Sequence, residues 1–202
     1  MRAVTNALVG TSSSQAQHDH VRVATFFGGC DCLDPNERSL AHAAGRWLGD
    51  HGFLVRQGGY DGLMEDMARG ATEKGGSVTA VTLVEQEWGD VNEYVDEVVR
   101  LPDFGSRLSY FLSDTQVVIG MGGGIGALHE LACAIWFASN VRSVPVVVLG
   151  GKGKRLLDFL LSDRWVYESP TRPLDFLRVA ESIDQLEAGL AEAGLTAHDQ
   201  HD

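Results

Sequence analysis

The sequence predicts a single-domain α/β fold in which helices cover both faces of one open, doubly wound parallel sheet. Apolar runs of strand length alternate with amphipathic segments of helix length, and glycine-rich turns follow several of the apolar runs. The chain has 202 residues, which is enough for one substantial core but short for two ordinary domains. Alternation of this kind is typical of a parallel sheet joined by right-handed crossovers.

The first half of the chain is predicted to form three strands and two helices. A buried strand at 21–27 (VRVATFF) ends at Gly28 and Gly29. Asp34 and Pro35 supply an N-cap and a first-turn proline for the helix that follows. The elements after the first strand are, in order, a helix at 35–51, a strand at 53–57, a helix at 62–74 that stops at a Gly-Gly pair, and a strand at 77–83.

The second half of the chain repeats this alternation. An acidic segment, a short apolar piece (VVRLP, 98–102) and a helix at 104–113 lie between residues 90 and 113. They are followed by strands at 115–121 and 144–149 and by helices at 126–139, 153–161 and 182–193. We therefore expect a Rossmann-like domain over residues 21–195, preceded by a disordered lead at 1–20 and followed by a polar tail at 196–202.

Composition narrows the classes of function. The net charge of −12 and the pI near 4.9 disfavour a nucleic-acid partner, because no cluster of lysine and arginine could release counterions from phosphates. A small phosphorylated ligand is compatible with this charge, since backbone amides at a helix N-terminus hold phosphate locally. The sequence shows no membrane-spanning run and no signal peptide pattern, and its three cysteines lack a disulfide-rich or zinc-binding spacing. These features predict a cytoplasmic protein with reduced thiols.

Glycine-rich turns at 28–32, 58–62 and 122–126 each follow a predicted strand. Ligands of doubly wound sheets bind beyond the carboxyl ends of the strands, so these turns should converge on one crevice. Glycine opens backbone amides to a phosphate, although a tight strand-to-helix turn also requires glycine for structural reasons. The convergence of three such turns favours a ligand site. The turns match neither the dinucleotide fingerprint GxGxxG with its acidic partner nor the P-loop GxxxxGK[ST].

Three motifs follow one another along the chain: FFGGC at 26–30 with a later Asp-Pro pair, GGYDGLM at 58–64 with RGA at 69–71, and GGGIGALHE at 122–130. In this order they resemble the Lonely Guy family of nucleoside 5′-monophosphate phosphoribohydrolases and its relatives, the molybdenum-cofactor-carrier-type Rossmann proteins. The last motif corresponds to the family's PGGxGTxxE. The resemblance extends over residues 21–161 and implies a Rossmann-like fold.

The resemblance also implies the residues of a site. Arg107 and Glu130 match the family's catalytic arginine and glutamate. The substrate, above all its phosphate, is expected to be bound by Gly28, Gly29, Gly58, Gly59, Gly123, Gly124, Gly126 and Ala127. In three places the family's proline, threonine and lysine are replaced by Gly122, Ala127 and Leu108.

Aromatic side chains near these motifs fall into two groups. Tyr60, inside the second glycine turn, is expected to contact the ligand. Trp136 and Phe137 lie in an apolar helical segment, LACAIWFA, where packing in the core or at a subunit interface is expected rather than stacking on a base.

By this resemblance the protein hydrolyses the N-glycosidic bond of a nucleoside 5′-monophosphate to free base and ribose 5-phosphate. A cytokinin riboside monophosphate, AMP and CMP are all candidate substrates. No cofactor and no metal are expected, and the implied partner is a second copy of the chain in a homodimer, with no membrane partner. The alternative is a non-catalytic carrier or sensor of a nucleotide or molybdenum cofactor, which the three departures favour. A decarboxylase is excluded because no lysine lies in a Schiff-base context.

Overall fold

The computed structural model describes residues 21–85 and 89–196. The predicted lead at 1–20 and all but the first residue of the predicted tail at 196–202 lie outside these described residues. In the described part of the chain, no helix is both long enough and apolar enough to cross a membrane.

The described strands form one sheet. They are β1 (Arg22–Phe27), β2 (Phe53–Gln57), β3 (Val78–Leu83), β4 (Glu97–Leu101), β5 (Val117–Gly120), β6 (Val146–Leu149) and β7 (Leu177–Ala180). All seven run parallel, in the order β4-β3-β2-β1-β5-β6-β7. The order reverses between β1 and β5, and a crevice opens beyond the carboxyl ends of strands at such a reversal.

Helices cover both faces of this sheet, as predicted. They are α1 (Pro35–Asp50), α2 (Leu63–Thr72), α3 (Phe104–Leu112), α4 (Ile125–Asn140), α5 (Gly151–Ser162) and α6 (Ile183–Glu192). Helices α1, α2 and α6 contribute to the core on one face, and α3, α4 and α5 to the core on the other. Asp34 caps α1 as expected, since its side chain accepts a hydrogen bond of 2.9 Å from the amide of Asn36.

Five of the seven described strands were expected from the sequence, and the two that were not, β4 and β7, lie at the edges of the sheet. Strand β4 contains most of the short apolar piece VVRLP, which was not assigned as a strand, and pairs with β3 from Thr79↔Glu97 to Leu83↔Leu101. Strand β7 has four residues and pairs with β6. Edge strands are buried on fewer sides, so exposed side chains such as Glu97 and Arg100 interrupt the apolar run that identifies a central strand.

Helices α1 and α2 pack with their backbones in contact, and glycine makes this possible. A Cβ atom at Gly45 would lie 2.1 Å from the carbonyl oxygen of Met67, and one at Gly70 would lie 2.1 Å from that of His42. Gly49 approaches the backbone of α2 in the same way. No side chain fits at these distances, so the spacing of the two helices, and of the strands that they join, depends on glycine.

We expect Gly45→Ala to lower the free energy of unfolding by about 1–3 kcal/mol, because the added methyl group forces α1 away from the α2 backbone. The matched control is Gly189→Ala in α6, where the nearest atom to an added Cβ is the flexible Arg178 Cδ at 3.2 Å. The control should be neutral or stabilising by up to about 1 kcal/mol, because alanine favours a helix over glycine. Urea denaturation measures both variants. Equal midpoints for Gly45→Ala and the wild type would contradict the tight contact.

Candidate functional site

The β1–α1 turn meets the β5–α4 turn where the strand order reverses. The amide of Gly29 donates a hydrogen bond of 3.2 Å to the carbonyl oxygen of Gly122. A Cβ atom at Gly29 would lie 2.6 Å from the Cα of Gly123. The two turns therefore pack backbone against backbone, at a distance that only glycine allows.

The third turn joins this contact through the amino end of α2. The amide of Leu63 donates a hydrogen bond of 3.0 Å to the carbonyl oxygen of Gly29. Gly62 has a φ of 69°, and a Cβ atom there would lie 2.1 Å from the carbonyl oxygen of Cys30. The predicted convergence of the three glycine turns at one edge of the sheet is thus present in the structure.

A cleft with a volume of about 610 Å³ opens where these turns meet. Its walls are mostly apolar and include Tyr60, Met64, Phe104 and Ile125. Polar groups lie at a few points only, as is usual for a small-molecule site. These are the backbone of the glycine turns and the side chains of Cys30, Asp31, Arg107, His129 and Glu130.

The amino end of α4 faces this cleft without a side-chain cap. Gly124 is the N-cap residue, and its lack of a side chain leaves the first turn uncapped. Gly124, Ile125, Gly126 and Ala127 all line the cleft, and a Cβ atom at Gly124 or Gly126 would meet no atom within 4 Å. The first amides of a helix have no partner within the helix, and the helix dipole favours an anion beside them. The arrangement can therefore bind a phosphate or carboxylate.

Arg107 and Glu130 form a buried ion pair in the same cleft. The Nη1 of Arg107, on α3, lies 2.6 Å from the Oε1 of Glu130, on α4, and the two side chains are 8% and 13% exposed. The Nε of Arg107 donates a hydrogen bond of 2.8 Å to the carbonyl oxygen of Val81, and its guanidinium lies 4.8 Å above the ring of Phe111. These contacts fix the arginine, which in turn holds one oxygen of the glutamate.

Burial dominates the electrostatics of this pair. It raises the pKa of the Glu130 carboxyl above its ordinary value, because desolvation of the carboxylate outweighs the opposing charge and hydrogen bond of Arg107 and the weaker effect of His129. A carboxyl with a raised pKa is a stronger base than a solvated one. The pKa of the Cys30 thiol is also raised, by burial and by the negative charges of Asp61, Asp31 and Glu130, which disfavours a nucleophilic thiolate.

The predicted glycines divide into two groups. Of the eight predicted binding positions, those that line the cleft are Gly28, Gly29, Gly124, Gly126 and Ala127. The other three pack against neighbouring atoms. A Cβ atom at Gly58 would lie 3.1 Å from the Nη2 of Arg107, one at Gly59 would lie 2.4 Å from the Cβ of Ala80, and Gly123 faces Gly29. Gly58 and Gly59 thus leave space for neighbouring side chains, Arg107 among them.

Side chains elsewhere in the cleft differ from the sequence prediction in part. Tyr60, which was expected to contact the ligand, lines the cleft, and His129 does so too. Phe104 and Ile125, which are 44% and 81% exposed, were not predicted as site residues. The available signal was their position, since each is the first residue of a helix whose amino end faces the crevice. Trp136 is 62% exposed on α4, so it does not lie in the core.

Comparison with known proteins places this chain among Rossmann-like proteins. The family model described as "LDcluster4: SLOG cluster4 family" matches residues 21–167. An uncharacterized protein of Archaeoglobus fulgidus is 29% identical over 125 residues, which are 61% of this chain and 81% of that protein. The crystal structure of TM1055 has a TM-score of 0.68 at 24% identity and covers 85% of this chain and 99% of TM1055. The molybdenum cofactor carrier protein of Chlamydomonas reinhardtii has a TM-score of 0.66 at 20% identity, over 86% of this chain and 98% of that protein.

We expect Arg107→Met to lower the free energy of unfolding by about 3 kcal/mol at pH 8, because it leaves the Glu130 carboxylate buried without its partner. Loss of Arg107 raises the folded-state pKa of Glu130 further above the unfolded value. The penalty therefore grows as pH rises through that pKa and shrinks as the carboxyl is protonated at lower pH. Urea denaturation at pH 5 and pH 8, each compared with the wild type, measures this change.

The double variant Arg107→Met/Glu130→Gln is the matched control, because it removes both charges. Its loss of stability should be smaller than that of Arg107→Met at pH 8 and should not depend on pH in the same range. An equal loss for Arg107→Met at both pH values would show that packing and the bond to Val81, rather than the buried charge, account for the effect of Arg107.

Proposed function

This chain belongs to the SLOG cluster4 family, and from that premise we propose that it hydrolyses the N-glycosidic bond of a nucleoside 5′-monophosphate to free base and ribose 5-phosphate. The observation that carries the proposal is the Arg107–Glu130 ion pair, which lies in the same cleft as the uncapped amino end of α4. The amino end of α4 can hold the phosphate of the substrate, and the Glu130 carboxylate can stabilise the positive charge that develops on the ribose.

The amino end of α4 binds the phosphate. The free amides of Ile125, Gly126 and Ala127 donate hydrogen bonds to its oxygens, and the helix dipole adds a favourable field. Because Gly124 and Gly126 have open space where a Cβ would be, the phosphate can approach the backbone closely. The phosphate in turn anchors the ribose, so that part of the binding energy orients the reacting carbon.

Glu130 acts at the ribose. Hydrolysis passes through a state in which positive charge develops on the sugar ring at C1′, and a carboxylate beside C1′ stabilises that charge. Glu130 takes a proton from a water molecule whose oxygen forms a bond to C1′. The bond between C1′ and the base nitrogen breaks, and its electron pair leaves with the base, which takes up a proton.

Arg107 directs the carboxylate. It holds Oε1 of Glu130 at 2.6 Å, while Oε2 makes no hydrogen bond with any residue that the structure describes, and so is free for water or the ribose. Glu130 projects from a rigid helix rather than from a loop, which limits the geometries that it can adopt. The guanidinium also offsets part of the desolvation of the carboxylate and helps to keep it ionised.

The apolar walls accept the base. Tyr60, Met64, Phe104 and Ile125 offer flat and flexible apolar contacts that suit an aromatic ring, with or without an apolar substituent. A cytokinin riboside monophosphate and the ordinary monophosphates AMP and CMP therefore belong in the same test panel. Asp31 and His129 supply polar contacts within the cleft.

A non-catalytic carrier is the second candidate. Its support is the side chain at position 127, where alanine lines the cleft and offers no hydroxyl group to a phosphate, together with the absence of a cation at Leu108. Proteins of similar fold include a molybdenum cofactor carrier protein. In that case the same amides and apolar walls would hold a phosphorylated ligand and no bond would be cut.

The outer face of α4 supports a homodimer. Ile125, His129, Ala132, Trp136 and Asn140 recur at helical spacing along this exposed face. Ile125 is 81% exposed and Trp136 is 62% exposed, and large apolar side chains in such a stripe are typical of an interface. Because Ile125 and His129 also line the cleft, a second copy on this face would lie at the mouth of the site.

The direct test incubates the purified protein with a panel of nucleoside 5′-monophosphates and measures free base and ribose 5-phosphate by chromatography. We expect hydrolysis, and a loss of about a hundredfold or more in kcat for Glu130→Gln, because the amide neither accepts the proton nor stabilises the ring charge. The matched control is Glu187→Gln, on the exposed face of α6, which should leave kcat unchanged.

Two outcomes would change the proposal. Binding of several monophosphates without release of base from any of them would favour the carrier over the hydrolase. Release of base that survives Glu130→Gln would leave a hydrolase in which Glu130 is not the group that acts at C1′.

We expect Trp136→Glu to convert the dimer to a monomer, because a charged side chain at the centre of an apolar interface cannot be paired. Size-exclusion chromatography with light scattering measures the mass of each species. Ala188→Glu is the control: Ala188 is exposed on α6, which packs on the opposite face of the sheet from α4, so this variant should stay dimeric. A monomeric wild type, or a Trp136→Glu protein that stays dimeric, would contradict an interface on α4.

A further inference from the structure

We propose that Lys152 supplies the positive charge that holds the substrate's phosphate beside the amino end of α4. The proposal rests on the function proposed above, because it names a further binding residue for the same site. Lys152 is the second residue of α5 and follows the β6–α5 turn, next to the β5–α4 turn in the sheet order.

Glu37 fixes the backbone of Lys152. Its Oε1 accepts a hydrogen bond of 3.0 Å from the Lys152 amide, across a separation of 115 residues. The carboxylate is 7% exposed and packs against Gly150, where φ is 85° and a Cβ atom would lie 2.5 Å from Oε2. A buried carboxylate at the amino end of α5 interacts favourably with the positive end of the helix dipole, which stabilises the start of the helix. The place from which the lysine side chain departs is therefore well defined.

The lysine stem crosses the β5–α4 turn at Gly122. A Cβ atom at Gly122 would lie 2.6 Å from Cδ of Lys152 and 2.7 Å from each of its Cβ and Cγ atoms. The stem thus occupies the space that any side chain at position 122 would need. Gly122 lies two residues before Gly124, the N-cap of α4. Glycine at this position, where the resemblance implies proline, leaves the room that the lysine stem occupies.

The ammonium group of Lys152 lies beyond this stem and carries its charge. Nζ is two bonds beyond Cδ at the end of a flexible stem. Lys152 does not itself line the cleft, so the proposal requires the stem to extend past Gly122 toward an anion bound at the first amides of α4. Lys152 makes no salt bridge within 4.0 Å in the part of the chain that the structure describes, so its charge is available to a ligand. Lys154, on the same helix, is paired instead with Asp158 at 2.7 Å.

The negative charge of the cleft favours a cation beside a bound phosphate. Arg107 is engaged by Glu130 and by the carbonyl oxygen of Val81, and Leu108 beside it carries no charge. The chain as a whole has a net charge of −12, and Asp31 and Glu130 line the cleft. A dianionic phosphate entering this cleft is repelled unless a local cation offsets these charges. Lys152 is assigned this role because its stem lies against Gly122, two residues before the N-cap of α4.

Calorimetric titration with ribose 5-phosphate, and with ribose as the uncharged control ligand, tests this inference. We expect Lys152→Met to bind ribose 5-phosphate about tenfold more weakly, with the difference shrinking at ~0.5 M salt because charge is screened. Lys152→Arg should retain most of the affinity, because it keeps the charge. Lys154→Met is the matched control and should bind as the wild type does, since its charge is already paired.

Gly122→Ala provides an independent variant, because it leaves the lysine in the chain. Gly122 is not among the glycines with positive φ, so alanine fits the backbone, while its methyl group displaces the lysine stem. We expect a loss of affinity for ribose 5-phosphate similar to that of Lys152→Met, and little further loss when the two substitutions are combined.

The outcomes separate this inference from the proposed reaction. A protein that binds ribose 5-phosphate but releases no base is not a hydrolase, yet the comparison of Lys152→Met with Lys154→Met still decides the role of Lys152. Equal affinity in the wild type and Lys152→Met, or equal weakening by Lys152→Met and Lys154→Met, overturns the inference even where hydrolysis is found. A wild type that does not bind ribose 5-phosphate overturns it as well.

Discussion

The arrangement of the site depends on one contact, in which the backbone of Gly29 lies against the backbones of Gly122 and Gly123. The contact joins the two turns at the reversal of strand order, where a parallel sheet must leave a crevice. Close approach of these turns directs the amino end of α4 into that crevice. It also sets the direction of α4, so that Glu130, about one and a half turns along the helix, faces Arg107 on α3. A side chain at Gly29 or Gly123 would separate the turns.

Local patterns in the sequence predict most of the fold, because the buried strands and amphipathic helices carry strong periodic signals. Strands β4 and β7 were not predicted, because edge strands are partly exposed and their apolar runs are short. The site is less accessible to sequence reasoning. Arg107 and Glu130 are 23 residues apart and pair only through the packing of α3 against α4, so a resemblance to a family, and not spacing, identified them. Phe104 and Ile125 line the cleft for an equally non-local reason.

The glycines of this protein show why composition alone could not define the candidate site. Gly124 and Gly126 face open space, and there the absence of a side chain exposes backbone amides to the cleft. Gly59 and Gly122 face neighbouring side chains, and there the same absence makes room for Ala80 and for Lys152. Both uses follow a strand and both produce the same letters in the sequence. Only the three-dimensional surroundings distinguish a glycine that exposes its amide to the cleft from a glycine that makes room for a neighbouring side chain.

The charges in the cleft affect one another, because a phosphate bound there would change the ionisation of Glu130. Burial raises the pKa of the Glu130 carboxyl, and a phosphate bound at the amino end of α4 would raise it further, because like charges disfavour ionisation. A carboxylate that must accept a proton from water has to stay ionised while that phosphate is bound. Arg107 opposes this rise in the pKa of Glu130 directly, and a cation beside the phosphate would oppose it by offsetting the charge of the phosphate. In the proposed reaction, a cleft with Arg107 alone would bind the phosphate but favour protonation of Glu130. Cations at both ends would allow the phosphate to bind while Glu130 stays ionised.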